Sequence, residues 1–308
     1  MSDLATDTLG RTGEAVTKLG FGAMELQPRV GEQAAARLLN AVLDAGITMI
    51  DTSPDYGPSE EFIGAGISHR RSEYFLASKC GCQVDPPPPA DSFPGHAYDR
   101  RTLRAGVEQS LRRMRTDHLD LVQIHMSPSR ATLEQHDSLG ELEALRDEGK
   151  VRFIGMSGTL PDIVDHIEMG VFDAFQIPYS ALEREHEELI TAAARTGAGT
   201  IIRGGVARGV PEALPAQYSR LPEEMRARLE QSLEARKARW DRAEARLDDV
   251  LEGMSRMEFL LRFTLSHPDM DTTIVGTSSP DHLADNVAAA AKGPLPPDVY
   301  EDARRRLA

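Results

Sequence analysis

A (β/α)₈ barrel is the fold this sequence predicts, an α/β class with one strand and one helix per unit. Short apolar runs and amphipathic stretches alternate regularly, the pattern of a parallel sheet with helical crossovers. The alternation yields eight strand–helix units, the number that closes a barrel. The 308 residues suit a single barrel domain over 1–308, since α/β barrels often exceed ordinary domain length. An open doubly wound sheet is the alternative, but it wants a glycine fingerprint after an early strand. None of Gly20-Phe-Gly22, Gly64-Ala-Gly66 or Gly204-Gly205 completes Gly-x-Gly-x-x-Gly, and no Walker loop is present.

Thr8 to Val16, with turn glycines Gly10 and Gly13, reads as an N-terminal β-hairpin ahead of the barrel. The repeat then starts with a strand near Lys18–Phe21 and a helix over Gly31–Ala45, followed by strand Thr48–Ile50 and helix Glu60–Ile67. Strand Tyr74–Ser78 leads to helix Asp99–Met114, strand Leu119–His125 to helix Ser138–Glu148, and strand Val151–Met156 to helix Pro161–Met169. Strand Ala174–Ile177 and helix Glu185–Thr196 come next, then strand Thr200–Arg203, helix Ser255–Ser266, strand Thr272–Val275 and helix Pro280–Ala291.

Two connections exceed the usual βα length. After Lys79 the chain runs through Pro86-Pro-Pro-Pro89 and Ser92-Phe-Pro-Gly95, which proline should keep extended and stiff; a passive rim is expected rather than a moving gate, and Phe93, His96 and Tyr98 could reach substrate from it. After the seventh strand comes an insertion at about 211–254, in which Pro222–Val250 reads as one long helix with Met225, Leu229, Leu233, Trp240 and Leu247 near one face. That helix is either a charged surface helix on the barrel's flank or a lid or subunit contact. Its position after a strand makes us expect it over the rim of the site or a neighbouring subunit, outside the barrel core.

Composition excludes several classes. A net charge of −14 argues against sequence-independent nucleic-acid binding, which needs basic patches. No run of eighteen apolar residues is present, so no membrane span is expected. Met1-Ser-Asp-Leu-Ala-Thr-Asp7 is acidic and lacks the apolar stretch of a secretory signal, which points to the cytoplasm. The two cysteines, Cys80 and Cys82, have a spacing that suits neither a disulfide framework nor a zinc site, and no His-Glu-x-x-His occurs, so no metal is expected. A homo-oligomer is compatible with the sequence.

Three successive strands end in proton-handling or charged residues. Ile47-Thr-Met-Ile50 runs into Asp51-Thr-Ser-Pro-Asp-Tyr56-Gly57, Tyr74-Phe-Leu-Ala-Ser78 into Lys79, and Leu119-Asp-Leu-Val-Gln-Ile124 into His125. Singly, Asp51 reads as a turn cap, Tyr56 as a packing residue, Lys79 as a solvated cation and His125 as a core histidine. If the strands are parallel neighbours, the four side chains instead converge at the barrel's C-terminal face, where such barrels carry their active sites. An ammonium beside a phenol would lower the tyrosine pKa from about 10, with Asp51 holding the lysine and His125 directing the proton's acceptor.

These segments resemble the aldo-keto reductase family. The resemblance runs from Leu9-Gly-Arg-Thr-Gly13 to Asn286 and includes Leu19-Gly-Phe-Gly-Ala-Met24, Asp51-Thr-Ser-Pro-Asp-Tyr56-Gly57, Ser78-Lys79, Asp120-Leu-Val-Gln-Ile-His125, Gly149-Lys-Val-Arg-Phe-Ile-Gly-Met-Ser157, Phe175-Gln-Ile-Pro-Tyr179 and Ile274-Val-Gly-Thr277, in the family's order. It implies a nicotinamide-dependent reductase of small-molecule carbonyls, with Asp51, Tyr56, Lys79 and His125 as the catalytic set. A nicotinamide-binding sensor or accessory subunit, similar to the potassium-channel β-subunit branch, is the alternative.

The resemblance also implies the cofactor contacts. Gly22, Met24 and Asp51 border the site, and Ser157 and Gln176 match positions that hold the nicotinamide carboxamide. The family's usual Ser-Asn pair is here Ser157-Gly158, and an aromatic ring common after the seventh strand is replaced by Arg203, whose guanidinium plane also stacks. Gly276, Ser278, Ser279, His282, Asp285 and Asn286 fall in the segment that takes the adenosine phosphate, leading into a helix N-terminus. Relatives with a strong grip on the 2′-phosphate often carry Lys and Arg where Gly276 and His282 stand, so NADP(H) is implied with NAD(H) as the alternative. Substrate choice would fall to Met24, Leu26, Phe93, His96, Met126 and Arg203.

Overall fold

A computed structural model describes residues 4–82, 95–206, 223–247, 249–251 and 253–307. The hairpin is present as β1 (Thr6–Thr8) and β2 (Ala15–Thr17), paired antiparallel. Eight strands follow: β3 (Leu19–Gly22), β4 (Met49–Asp51), β5 (Phe75–Cys80), β6 (Leu119–Ile124), β7 (Val151–Ser157), β8 (Ala174–Pro178), β9 (Gly199–Arg203) and β10 (Thr272–Val275). They close as a barrel in the order β10-β3-β4-β5-β6-β7-β8-β9, each pair parallel. β5 and β6 are buried along their whole length, as parallel strands covered on both faces must be.

Alternation along the strands sorts the apolar residues into two layers. Met49, Phe75, Ala77, Leu121, Ala174 and Ile201 pack together with Leu9 and Val16 of the hairpin, which plugs the N-terminal end of the barrel. Ile50, Leu76, Val122, Phe175 and Ile202 sit one residue out of phase and belong to the larger layer under the helices. Those helices are α1 (Glu32–Asp44), α2 (Ser59–Ile67), α3 (Arg100–Met114), α4 (Arg130–Gln135), α5 (Ser138–Asp147), α6 (Ile163–Met169), α7 (Glu187–Arg195), α8 (Glu223–Leu247), α9 (Arg256–Leu265), α10 (Pro280–Ala291) and α11 (Pro297–Arg306). Among the described residues, side-chain caps start four of them: Asp99 accepts from the Thr102 N–H, Ser129 from Thr132, Ser255 from Glu258 and Ser279 from His282.

The seventh barrel strand is followed, as expected, by the long helix α8. Leu233, Trp240, Ala243 and Leu247 are buried, and Trp240 and Leu247 join the layer under the helices. Arg239 donates to the Leu182 carbonyl and Arg246 to that of Arg306, so the helix lies against the 181–187 segment and the chain's C-terminal end. This is the flank alternative. Placement outside the core does not hold for the Trp240–Leu247 half, whose two end residues are buried in it. Pro86–Pro89, Phe93, residues 211–222 and the Met225 side chain lie outside the described residues. No helix among the described residues is long and apolar enough to cross a membrane.

The hairpin is pinned to the barrel floor by Asp271, whose Oδ2 accepts the Gly10 N–H at 3.1 Å and the Thr200 N–H at 2.9 Å. Gly10 has φ 45°, and a Cβ there would stand 2.2 Å from the Gly199 nitrogen, so only glycine lets the plug close. Burial raises the Asp271 carboxyl to about 6 from 3.8, against the pull of its two N–H donors. The folded chain therefore holds this proton more tightly than the unfolded chain, and the stability this contributes is full below pH 3.8 and lost as pH rises through about 6. Asp271→Asn keeps an oxygen for both N–H groups and removes the charge. Its melting temperature should gain on that of the unsubstituted chain between pH 4 and pH 7; parallel curves would show that Asp271 does not titrate there.

Candidate active site

Inward-pointing positions near the C-terminal strand ends turn from apolar to polar. Met49 is followed two residues on by Asp51, Ala77 by Lys79, Leu121 by Gln123 and Ala174 by Gln176, so the barrel's apolar interior ends in a polar layer. Asp51 sits at the centre. Its Oδ2 pairs with Lys79 Nζ at 2.7 Å, and its Oδ1 accepts from Gln123 Nε2 and Gln176 Nε2, both at 2.8 Å. Lys79 also donates to the Thr52 carbonyl at 2.8 Å. The Asp51 and Lys79 side chains are 2% and 0% exposed, so this is a fully desolvated ion pair and the solvated reading of Lys79 fails. Burial alone would push the Lys79 ammonium down, but the Asp51 charge reverses this and holds it above its ordinary value.

Tyr56 and His125 complete the group. The Lys79 Nζ lies 5.0 Å from the Tyr56 ring centroid, and the Tyr56 and His125 rings meet edge-on with centroids 6.3 Å apart. Burial raises the Tyr56 phenol above its ordinary value; Lys79 pulls it down, while Asp51 and Asp55 add to the rise. The expected lowering of Tyr56 is therefore corrected. Asp51 offsets part of the ammonium's pull on the phenol, so desolvation prevails. His125 is pushed down to about 2 by burial, with Lys79, His96 and Arg203 opposing its positive form as well, so it is a neutral imidazole at physiological pH. Its backbone turns sharply: Met126 and Ser127 both adopt left-handed φ, 66° and 50°, which leaves Met126 on the surface at 62% exposure.

His125 Nδ1 faces three groups that sequence reasoning did not connect. Cys82 Sγ and His96 Nε2 each lie 3.4 Å from it, and Asp55 Oδ2 lies at 3.5 Å. Burial, then the nearby Asp55 charge, pushes the Cys82 thiol up to about 12. Gln123 was also missed, although two residues before His125 in an alternating strand it must share that residue's inward face.

The residues assigned to cofactor ring the same mouth. Ser157 Oγ donates to Gln176 Oε1 at 3.2 Å across β7 and β8, so Gln176 joins the Asp51 centre to the rim. Arg203 ends β9 close enough for its charge to act on Tyr56 and His125. Gly22 ends β3 beside Gly276, and a Cβ on Gly276 would lie 2.6 Å from the Gly22 carbonyl oxygen. No longer side chain fits at 276, which accounts for glycine there. Met24 is 45% exposed on the turn after β3. Ser278, His282 and Asp285 are exposed on the approach to α10 and its first turns, whereas Asn286 is buried and the Ser279 hydroxyl oxygen already accepts from the His282 N–H. Of the rim residues, Leu26 is fully buried and belongs to the core, so it does not reach substrate.

A polar pair, a glycine-lined notch and a helix N-terminus around a buried Asp-Lys couple suit a nicotinamide dinucleotide, and the comparisons with known proteins agree. The model of the Aldo/keto reductase family matches residues 18–306. An uncharacterized oxidoreductase of Bacillus subtilis is 26% identical over 92% of this chain and 90% of its own. The L-galactose dehydrogenase of Arabidopsis thaliana is 26% identical over 95% and 90%. Among solved structures, an aldo-keto reductase of Bacillus halodurans in its holo form superposes with a TM-score of 0.82 at 26% identity, covering 98% of this chain and 96% of that one.

Proposed function

The chain belongs to the aldo/keto reductase family and is an NAD(P)H-dependent oxidoreductase; on that premise we propose that it reduces the carbonyl of an aldehyde or ketone with Tyr56 as proton donor. The observation that carries the reading is the convergence of Tyr56 and neutral His125 over the buried Asp51–Lys79 pair. When bound, the reduced nicotinamide supplies the hydride. Tyr56 Oη gives its proton to the carbonyl oxygen as negative charge grows there, and the Lys79 charge behind the ring stabilises the phenolate left behind. His125 orients the same oxygen through its Nε2 edge, because Nδ1 is turned toward Asp55, Cys82 and His96.

Ser157 and Gln176 are the residues we assign to the carboxamide and Arg203 to the face of the ring. The solvent-exposed start of α10, with Ser278 and His282, is assigned to the 2′-phosphate of NADP(H). Asp285 and Asn286 are assigned to the adenine. The test is consumption of NADPH and NADH against a panel of carbonyls, with cofactor affinity measured in parallel. Turnover of several carbonyls with NADPH is the expected result. Tight cofactor binding without turnover on any of them would replace this reading with the sensor.

A further inference from the structure

We propose that Asp55, Cys82, His96 and His125 form a four-ligand site for a zinc-class divalent cation at the rim of the catalytic mouth. Four of the six donor–donor distances already match the spacing such an ion requires. Bonds of about 2.0–2.3 Å in a tetrahedral shell place neighbouring donor atoms roughly 3.3–3.8 Å apart. Cys82 Sγ to His125 Nδ1 and His96 Nε2 to His125 Nδ1 are both 3.4 Å, His125 Nδ1 to Asp55 Oδ2 is 3.5 Å and His96 Nε2 to Asp55 Oδ2 is 3.8 Å. All four donor atoms lie within 4.8 Å of one another.

The chemistry and the frame agree with this. One thiolate, one carboxylate and two neutral imidazoles balance a divalent charge, which lets the ion sit in a mostly buried place, and the sulfur–nitrogen donors select zinc over magnesium or calcium. Ligation by Cys82 requires the thiolate, so binding forms a metal–sulfur bond and releases the thiol proton to water. Ser53 Oγ donates to the second carboxylate oxygen of Asp55 and stands 3.6 Å from Cys82 Sγ, an outer contact that orients both ligands. The backbones of Cys82 and His96 are bridged antiparallel, the Ala97 N–H bonds the Gly81 carbonyl at 2.8 Å, and Tyr98 Oη donates to the His125 carbonyl at 2.9 Å. Three of the four donors are thus held by one small frame. An ion on His125 Nδ1 leaves the ring proton on Nε2, the edge we assign to the carbonyl, so the cation would act as a positioning group for His125.

The site stands on its own geometry and is tested without cofactor or substrate. The full chain, stripped with chelator and dialysed, is titrated with Co²⁺ and followed by absorbance. One ion per chain is expected, with a thiolate-to-cobalt charge-transfer band and intense tetrahedral bands, both displaced by Zn²⁺. Cys82→Ser should lose the charge-transfer band while Cys80→Ser keeps it, and His96→Ala should weaken Co²⁺ binding roughly tenfold or more. A weak octahedral, sulfur-free spectrum in the unsubstituted chain, or a charge-transfer band that persists in Cys82→Ser, overturns the proposal. Should Cys82→Ser fail to fold, unchanged Co²⁺ affinity in His96→Ala overturns it alone.

Discussion

Tyr56→Phe should fold and bind nicotinamide cofactor as the unsubstituted chain does, while the single-turnover rate of carbonyl reduction falls about 10²–10⁴-fold, the usual worth of a positioned general acid. The substitution removes one hydroxyl and leaves the ring. The Lys79 ammonium at 5.0 Å from the ring centroid and the edge-on His125 ring keep their packing partner, so the ion pair beneath need not move. What goes is, among the described residues, the only phenol in contact with both Lys79 and His125. Because burial holds the Tyr56 phenol above its ordinary value, it keeps its proton throughout the neutral range and acts as a donor for reduction. Neutral His125 remains to orient the oxygen in the variant, which is why some activity should persist. An unchanged rate constant for the chemical step would transfer the donor role to another group.

Much of this site was legible because parallel-barrel strands write their interior at every second residue. The runs ending in Asp51, Lys79 and His125 are read correctly from the chain, and the eight strands fall within one or two residues of expectation. The same rule would have found Gln123, whose amide completes the shell around Asp51. Helix α11 also carried signals: Pro297 at its first turn, arginines at its last, and Tyr300 and Ala303 on one face. Other features are tertiary. The direction of the Tyr56 shift depends on how deep the phenol sits against how completely Asp51 offsets Lys79, and neither quantity is local. The Asp55, Cys82, His96 and His125 donors come from the loops after three strands and from beyond a proline segment, so no spacing motif announces them. The expectation that no metal binds rested on spacing alone.

Lys79→Met should destabilise the fold by about 3–5 kcal/mol and abolish carbonyl reduction, because removing one partner of a buried pair leaves an uncompensated charge. The Lys79 and Asp51 side chains are shut off from water, and among the described residues their 2.7 Å contact is the only ion pair that offsets the Asp51 charge. Gln123 and Gln176 each donate to Oδ1, but they are dipoles and leave Oδ2 without a donor once the ammonium is gone. The methionine fills most of the lysine stem's volume, so little of the loss comes from a cavity. Adding Asp51→Asn removes the stranded charge and keeps an oxygen for the two glutamines. The double variant should therefore regain most of the lost stability, seen as the midpoint of urea unfolding, and remain inactive, since the charge that most favours a phenolate at Tyr56 is gone. Equal urea midpoints for the single and double variants would mean that the charge was never the problem. Activity returning with stability would mean that Lys79 serves the fold and not the proton transfer.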